Sequence, residues 1–258
     1  MFNDPQALVI ALVAGLLIGS FLNVLIYRLP RNESVVTGRS RCTSCRNEIA
    51  WHDNIPVLSY ILLKGRCRGC GAPVSLRYPV VELLSALIAG SLVSQYGLTL
   101  LSLWMYMFMA ILLVITLIDW AHRIIPDVLS LGGIVLGWIG AVVCLPVSFP
   151  DSLIGAFAGG GLLFVIAAGY KLVRKVEGMG GGDIKLMGMI GAFLGWQMIF
   201  PVLLIASFFG AAYGVYLLAR GGTGNTAVAF GSFLAPSAAL VLIFGAELWQ
   251  NYIGLFLR

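Results

Sequence analysis

The sequence predicts an all-α polytopic membrane protein, with about eight transmembrane helices and one small cytoplasmic loop domain. Of its 258 residues, 60% are hydrophobic and only 10% are charged, whereas soluble proteins carry about 25% charged residues. Apolar stretches close to the roughly 20 residues that cross a bilayer recur along the chain. Together these observations exclude a soluble globular class.

Eight apolar stretches are interpreted as spans. The first could pass for a secretory signal, but no basic region precedes it, so we expect a mature helix. Tyr96 and Gly97 alone separate the second and third, which favours a tight hairpin. The predicted spans are 6–27, 78–96, 98–118, 128–148, 151–171, 184–198, 200–219 and 229–256. The chain thus divides into a first helix (1–27), a loop domain (28–77) and a membrane domain of about seven helices (78–258).

The basic residues predict the orientation, because cytoplasmic loops of membrane proteins are enriched in Lys and Arg. With loop 28–77 in the cytoplasm, 15 of the 16 basic residues fall on that side, and only Arg258 falls outside. The N-terminus then lies outside. The formal charge of +5 is assigned to these loops, so membrane lipid is expected as the surroundings and nucleic acid is not expected as a partner.

The loop 28–77 is too small and too polar to fold on a hydrophobic core alone, so a staple is expected. It contains two Cys-x-x-Cys pairs with 21 residues between them, a spacing that suits a tetrahedral zinc site. The predicted ligands are Cys42, Cys45, Cys67 and Cys70, and Gly69 and Gly71 permit the second tight turn. A redox dithiol pair and unmetallated cysteines are the alternatives. Cys144 is interpreted as packing, and His52 as a loop histidine.

Four carboxylates fall at the cytoplasmic membrane edge of this topology, namely Glu82, Asp119, Asp127 and Asp183. Charges at this depth are costly and commonly functional. Each of these carboxylates also has a simpler structural interpretation. Asp119 could pair with Arg123 and Asp183 with Lys185 or Lys175. Glu82 could pair with a cation or anchor a helix. Asp127 follows a proline and precedes an apolar helix, which is typical of an N-cap. The other seven, including Glu177 and Glu247, are interpreted as solvated.

The functional hypothesis is an aspartyl dyad formed by Asp119 and Asp183. Two carboxyls that share one proton can divide the work of hydrolysis. One accepts a proton from water while the other polarises a carbonyl. Asp183 follows Gly180, Gly181 and Gly182, which would leave room for an extended substrate backbone. A phosphate-binding loop is disfavoured, because a carboxylate repels phosphate and no Lys-Ser pair follows.

Several motifs resemble the type IV prepilin peptidases, the Gly-x-Gly-Asp aspartyl protease family. They lie in the first span and its exit, in the cysteine loop, at the entry to the second span and around both aspartates. The motifs are Gly19–Val24, Tyr27–Pro30, Arg39–Cys45, Asn54–Ser59, Gly65–Cys70, Arg77–Leu83, Ile118–Asp119 with Ile125–Asp127, and Glu177–Leu186. The run Phe230–Leu234 differs from the family pattern, since Ala229 and Ser232 stand where prolines are common.

The resemblance implies Asp119 and Asp183 as the catalytic residues. It implies cleavage of prepilins and pseudopilins, after a short basic leader, at the cytoplasmic face of the bacterial inner membrane. Many members also methylate the new N-terminus with S-adenosylmethionine. Because all four cysteines are kept, this chain is expected to do so too. Glu82 is a candidate for contacting the amine near the methylation site, whose residues are otherwise unknown.

Two other functions remain open at this point. An ion or proton transporter could use the intramembrane carboxylates, but it would need polar residues continuing through spans four to eight, where almost none occur. A thiol-based redox protein would depend on the cysteines and not on the aspartates.

Overall fold

The computed structural model describes residues 4–176, 179–221 and 229–256, with side chains to 244 in the last range. Glu177, Gly178, Arg258 and the side chain of Glu247 therefore lie outside the described residues. The helices are α1 (Pro5–Arg28), α2 (Leu58–Leu62), α3 (Arg77–Tyr96), α4 (Leu100–His122), α5 (Asp127–Val143), α6 (Phe149–Arg174), α7 (Gly181–Leu194), α8 (Ile199–Ala219) and α9 (Gly231–Phe256). Short connections join the helices from α3 to α8, whereas longer loops flank α2 on both sides. The only β-pairing within the described ranges is two isolated bridges.

Local sequence signals explain where several helices begin and end. The Asp4 carboxylate caps α1 by accepting a hydrogen bond from the Gln6 N–H at 3.0 Å, and proline follows in the first turn. Ser148 caps α6 in the same way, accepting from the Asp151 N–H at 3.2 Å. Gly195, with φ +80°, ends α7 in a conformation that favours glycine.

Five segments within the described ranges are long and apolar enough to cross a membrane. They are Pro5–Arg31, Arg77–Tyr96, Leu100–His122, Phe149–Arg174 and Trp196–Ala219. Asp127–Val143 and Gly231–Phe244 are apolar but shorter. α7 has only 14 residues. The all-helical membrane character is confirmed, whereas the number of eight spans stays a prediction.

Two compact units divide the chain, Met1–Ala110 and Ile111–Arg258, with the boundary inside α4. In the first unit, α1 lies so close to α3 that a Cβ at Gly15 would be 2.6 Å from the Ala86 Cα. The Ser85 hydroxyl donates to the Gly15 carbonyl at 2.7 Å. Small residues thus bring these two helices into backbone contact, as in many membrane helix pairs.

The second unit is built around α7, which packs against α5, α6 and α9. Every residue from Leu186 to Phe193 is buried. Glycines on the neighbouring helices make room for α7: Gly137 lies against Ala192, and Gly155 lies against Gly191. This packing fixes the N-terminal turn of α7, which carries Asp183.

Candidate aspartyl active site and metal centre

Asp119 lies in the last turn of α4, one turn before the helix ends at His122. The predicted span ended at 118, but the helix continues to His122, because no proline or glycine interrupts it before Pro126. The Asp119 side chain is therefore held on a regular helix. It is only 4% exposed.

Asp183 lies in the first turn of α7 and is 8% exposed. The predicted span began at 184, whereas the helix begins at Gly181. The backbone of Gly180 and of Gly231 lies within hydrogen-bonding reach of the Asp183 carboxyl. A carboxylate at this position also benefits from the exposed N–H groups of the helix N-terminus.

Gly231 shows how close the two aspartates are. A Cβ built on Gly231 would lie 3.0 Å from Oδ2 of Asp119 and 3.1 Å from Oδ1 of Asp183. The two carboxyl oxygens are therefore no more than about 6 Å apart, the sum of those distances. The structure thus brings together the two residues that the sequence analysis paired.

Ser232 is the polar partner of Asp119. Its backbone N–H and its hydroxyl both donate to Oδ2 of Asp119, at 2.6 and 2.9 Å. The sequence analysis missed this role, because Ser232 lies 113 residues away in the chain and a serine before an apolar run is an ordinary helix start. Gly231 was seen only as part of a motif, and its contact with both carboxyls was not predicted.

Asp127 is not part of this pair. Its predicted N-cap role is wrong, because α5 begins at Asp127 itself, with Pro126 at the cap position. The Asp127 carboxylate instead accepts from Nζ of Lys185 at 2.7 Å. The simple alternative that Lys185 neutralises Asp183 is therefore replaced by a pair between Lys185 and Asp127.

The glycines before Asp183 differ in their surroundings. A Cβ on Gly181 would meet nothing within 4 Å, and one on Gly180 would meet only Asp183 and the Gly182 amide, at 3.6 and 3.9 Å. A Cβ on Gly182 would be 2.9 Å from the Cβ of Ile125. Gly180 and Gly181 thus leave open space, whereas Gly182 lets the α4–α5 turn pack against α7.

Glu82 lies on α3 in the first unit and is buried. Its Oε2 accepts from the Val57 N–H at 2.7 Å, and the Ser20 hydroxyl is a further partner. Val57 has φ +60°, a conformation that is strained for a β-branched residue. This geometry supports the alternative in which Glu82 anchors the structure, here the loop before α2.

The four loop cysteines converge as predicted. Their sulfur atoms all lie within 4.8 Å of one another, and the Cys42 and Cys70 sulfurs are 3.8 Å apart. Four thiolates around zinc, with Zn–S bonds of about 2.3 Å, would be spaced about 3.8 Å apart. The donor set and its spacing therefore fit a zinc ion.

Two matching turns build this cluster. In each, the N–H of the first cysteine bonds to a carbonyl five residues on: Cys42 to Asn47 at 3.0 Å, and Cys67 to Ala72 at 2.9 Å. The residue after the second cysteine has positive φ in both turns, +60° at Arg46 and +71° at Gly71. Gly71 therefore suits its turn as predicted, although Arg46 adopts the same conformation without being glycine, and Gly69 has no positive φ.

The cysteines differ in their electrostatic surroundings. Backbone hydrogen bonds from Cys45 and then Ser44 lower the pKa of Cys42 to about 6. A backbone hydrogen bond from Ala72 favours the Cys70 thiolate, but desolvation and the neighbouring thiols outweigh it and raise the pKa of Cys70 to about 11. A cation at the centre of the cluster would relieve this crowding of thiolates.

Family models match both halves of the sequence. Residues 13–96 match the family model described as bacterial peptidase A24 N-terminal domain, and residues 106–215 match the type IV leader peptidase family. A Pseudomonas putida protein named prepilin leader peptidase/N-methyltransferase is 37% identical, over 94% of this chain and 92% of its own. Proteins of that name from Pseudomonas aeruginosa and Myxococcus xanthus are 36% and 41% identical, over 97% and 84% of this chain and 95% and 65% of theirs.

No solved structure matches the chain significantly. The resemblance drawn from the motifs is confirmed by the family models and by these relatives. The chain belongs to the type IV leader peptidase family.

Proposed function

We propose that this chain is an aspartic endopeptidase that removes the leader from prepilins and pseudopilins. One observation carries the proposal: two buried carboxyls from different helices, Asp119 and Asp183, come within about 6 Å at a single point beside Gly231. The names of the relatives, prepilin leader peptidase/N-methyltransferase, supply the substrate class.

The dyad would hydrolyse a peptide bond without a metal or a covalent intermediate. One ionised carboxyl takes a proton from water as the water oxygen bonds to the scissile carbonyl carbon. The other, protonated carboxyl gives its proton to the carbonyl oxygen, which receives the π-electron pair. Breakdown of the tetrahedral intermediate returns one proton to the dyad and sends another to the leaving amine. The protons and charges therefore balance over the cycle.

The substrate would approach with its apolar helix in the lipid and its basic leader in the cytoplasm. Gly180 and Gly181 support this approach, because their missing side chains leave space next to Asp183. With the N-terminus outside and the basic loops inside, the dyad falls at the cytoplasmic face of the inner membrane.

We further propose N-methylation of the new N-terminus, with S-adenosylmethionine as the methyl donor. The second half of the relatives' name supports this activity. Glu82 does not fit a direct contact with the amine, because its carboxylate is buried and bonded to the Val57 amide. No step of methyl transfer is assigned to it, and an anchoring role is proposed instead.

Zinc, when bound by Cys42, Cys45, Cys67 and Cys70, would supply a crosslink and no reaction step. No apolar side chain of residues 28–77 is buried, so zinc held by four sulfurs within 4.8 Å of one another would supply the crosslink that this loop domain needs.

Replacing either catalytic aspartate tests the proposal. Asp119→Asn and Asp183→Asn should each lower the rate of prepilin cleavage by about 10²- to 10⁴-fold, because an amide can neither accept nor give the proton that the dyad transfers. Asp127→Asn is the matched control and should cleave at the wild-type rate, since its carboxylate is bound to Lys185. Rates are measured in proteoliposomes with a synthetic prepilin. Cleavage at the wild-type rate by either Asp119→Asn or Asp183→Asn would contradict the proposal.

A further inference from the structure

Ser232 makes two close polar contacts in the candidate site. It is the second residue of α9 and is 5% exposed. Its N–H and hydroxyl converge on one atom, Oδ2 of Asp119, at 2.6 and 2.9 Å. An aliphatic residue at 232 would keep the N–H donor only, and a proline would keep neither.

These contacts distinguish the two aspartates. Asp119 receives a side-chain hydroxyl and a backbone amide on the same oxygen. Asp183 has neighbouring backbone amides, from Gly180 and Gly231, but no side-chain donor within the described parts of the chain. Hydrogen bonds to a carboxylate favour its charged form. Both carboxyls receive backbone amides near a helix N-terminus, so the Ser232 hydroxyl is the additional donor that favours the charged form of Asp119.

We propose that Ser232 is a positioning residue that fixes Asp119 as the ionised, water-activating member of the dyad, and leaves the shared proton on Asp183. The inference rests on the proposed peptidase function and assigns the roles within it. With Oδ2 held by Ser232, Oδ1 of Asp119 takes the proton from water as the water oxygen bonds to the carbonyl carbon. Asp183 gives its proton to the carbonyl oxygen, which completes the balance.

Two variants at one position isolate the hydroxyl. Ser232→Ala removes the hydroxyl and keeps the amide. Ser232→Thr keeps both donors. Ser237→Ala is the matched control, since Ser237 is a buried serine on the same helix.

The test measures kcat and KM for a synthetic prepilin as a function of pH. Ser232→Ala should lower kcat about 10- to 100-fold with little change in KM, the effect of losing one hydrogen bond to a charged group. The acidic limb of the kcat profile should move to higher pH, because Asp119 has lost a donor that favours its ionised form. Ser232→Thr and Ser237→Ala should resemble the wild type.

The pH profile separates positioning from simple support of the fold. The charged groups near Asp119 are Asp183 on α7 and Arg123 after α4, and all variants keep them. An unchanged kcat in Ser232→Ala, or a loss of activity with an unmoved acidic limb, would overturn the inference. Asp119→Asn and Asp183→Asn are assayed alongside. Activity in those two would overturn the peptidase proposal itself, whatever Ser232 does.

Discussion

Gly231→Ala tests whether the two aspartates need the space that the missing side chain of Gly231 leaves between them. Its missing side chain allows Asp119, Asp183 and Ile125 to approach one point, with the Ile125 Cδ1 at 2.6 Å from a would-be Cβ. Gly231→Ala should therefore displace at least one carboxyl and lower kcat about a hundredfold, the scale expected for misplacement of a catalytic group by about 1 Å. The measurement is the initial rate of prepilin cleavage.

Two companion variants sharpen this test. Gly132→Ala is the control, because a Cβ there meets nothing within 4 Å on α5. Adding Ile125→Ala to Gly231→Ala removes the closest apolar contact and leaves the two carboxyl contacts. The kcat of the double variant should stay as low as that of Gly231→Ala alone. Full activity in Gly231→Ala would contradict the geometry described for the dyad.

Sequence reasoning identified the residues at the site that carry their own chemical signature. A carboxylate at a membrane edge is costly, so Asp119 and Asp183 could be singled out and paired by depth. Ser232 could not be found in this way, because serines are common at helix starts and nothing in the spacing reveals a contact across 113 residues. Asp127 was assigned the wrong local role, because the N-cap pattern competes with the ion pair to Lys185.

At the level of helices, the crossing of α6 and α7 depends on two glycines. A Cβ on Gly191 would collide with the Gly155 carbonyl and lie 3.1 Å from the Ala156 amide nitrogen. Gly191→Ala should push the helices apart and destabilise the protein by about 1–3 kcal/mol. The change is measured as a lower thermal unfolding midpoint in detergent, with a matching loss of cleavage because α7 carries Asp183.

The control for this crossing is on α6 itself. Gly161 faces open space, with nothing within 4 Å of a would-be Cβ, and alanine there should leave the midpoint unchanged or raise it, as in an ordinary helix interior. Equal midpoints for Gly191→Ala and Gly161→Ala would show that close approach of α6 and α7 is not needed.

The four-cysteine loop is predicted to bind zinc and to depend on it for folding. Purified protein should contain one zinc ion per chain, matching its single cluster of four cysteines. Cys42→Ser and Cys67→Ser should lose the metal, and the loop 28–77 should become sensitive to protease, because zinc binding supplies folding free energy. Cys144→Ser, outside the cluster, is the control.

Metal analysis and limited proteolysis check this outcome together. Protein without zinc whose loop resists protease as well as the wild type would contradict the staple. Activity lost in the cysteine variants and kept in the aspartate variants would favour the thiol-based alternative.

Helix positions were predictable from hydropathy, and their ends less so. Most predicted spans lie within a few residues of a helix, since about 20 apolar residues have few other ways to satisfy their backbone in a membrane. The ends near the site were misjudged, because α4 runs past 118 and α7 starts at Gly181. Hydropathy falls at a charged residue, whereas helical hydrogen bonding continues through it.

At the level of the whole molecule, the chain contains two compact units with different proposed tasks. The first holds the cysteine cluster and Glu82, and the second holds the dyad with Ser232. The proposed dyad would account for two of the buried carboxyls, Asp119 and Asp183, that a transporter would otherwise have to explain. The central claim is that Asp119 and Asp183 together cut a prepilin.

Mass spectrometry of a synthetic prepilin, incubated with the full chain and S-adenosylmethionine in proteoliposomes, tests this claim most directly. The wild type should release a pilin that begins directly after the leader and is heavier by one methyl group. Asp119→Asn and Asp183→Asn should leave the prepilin uncut, and Asp127→Asn should give the wild-type product. Correctly cut pilin from either dyad variant at the wild-type rate would contradict the account.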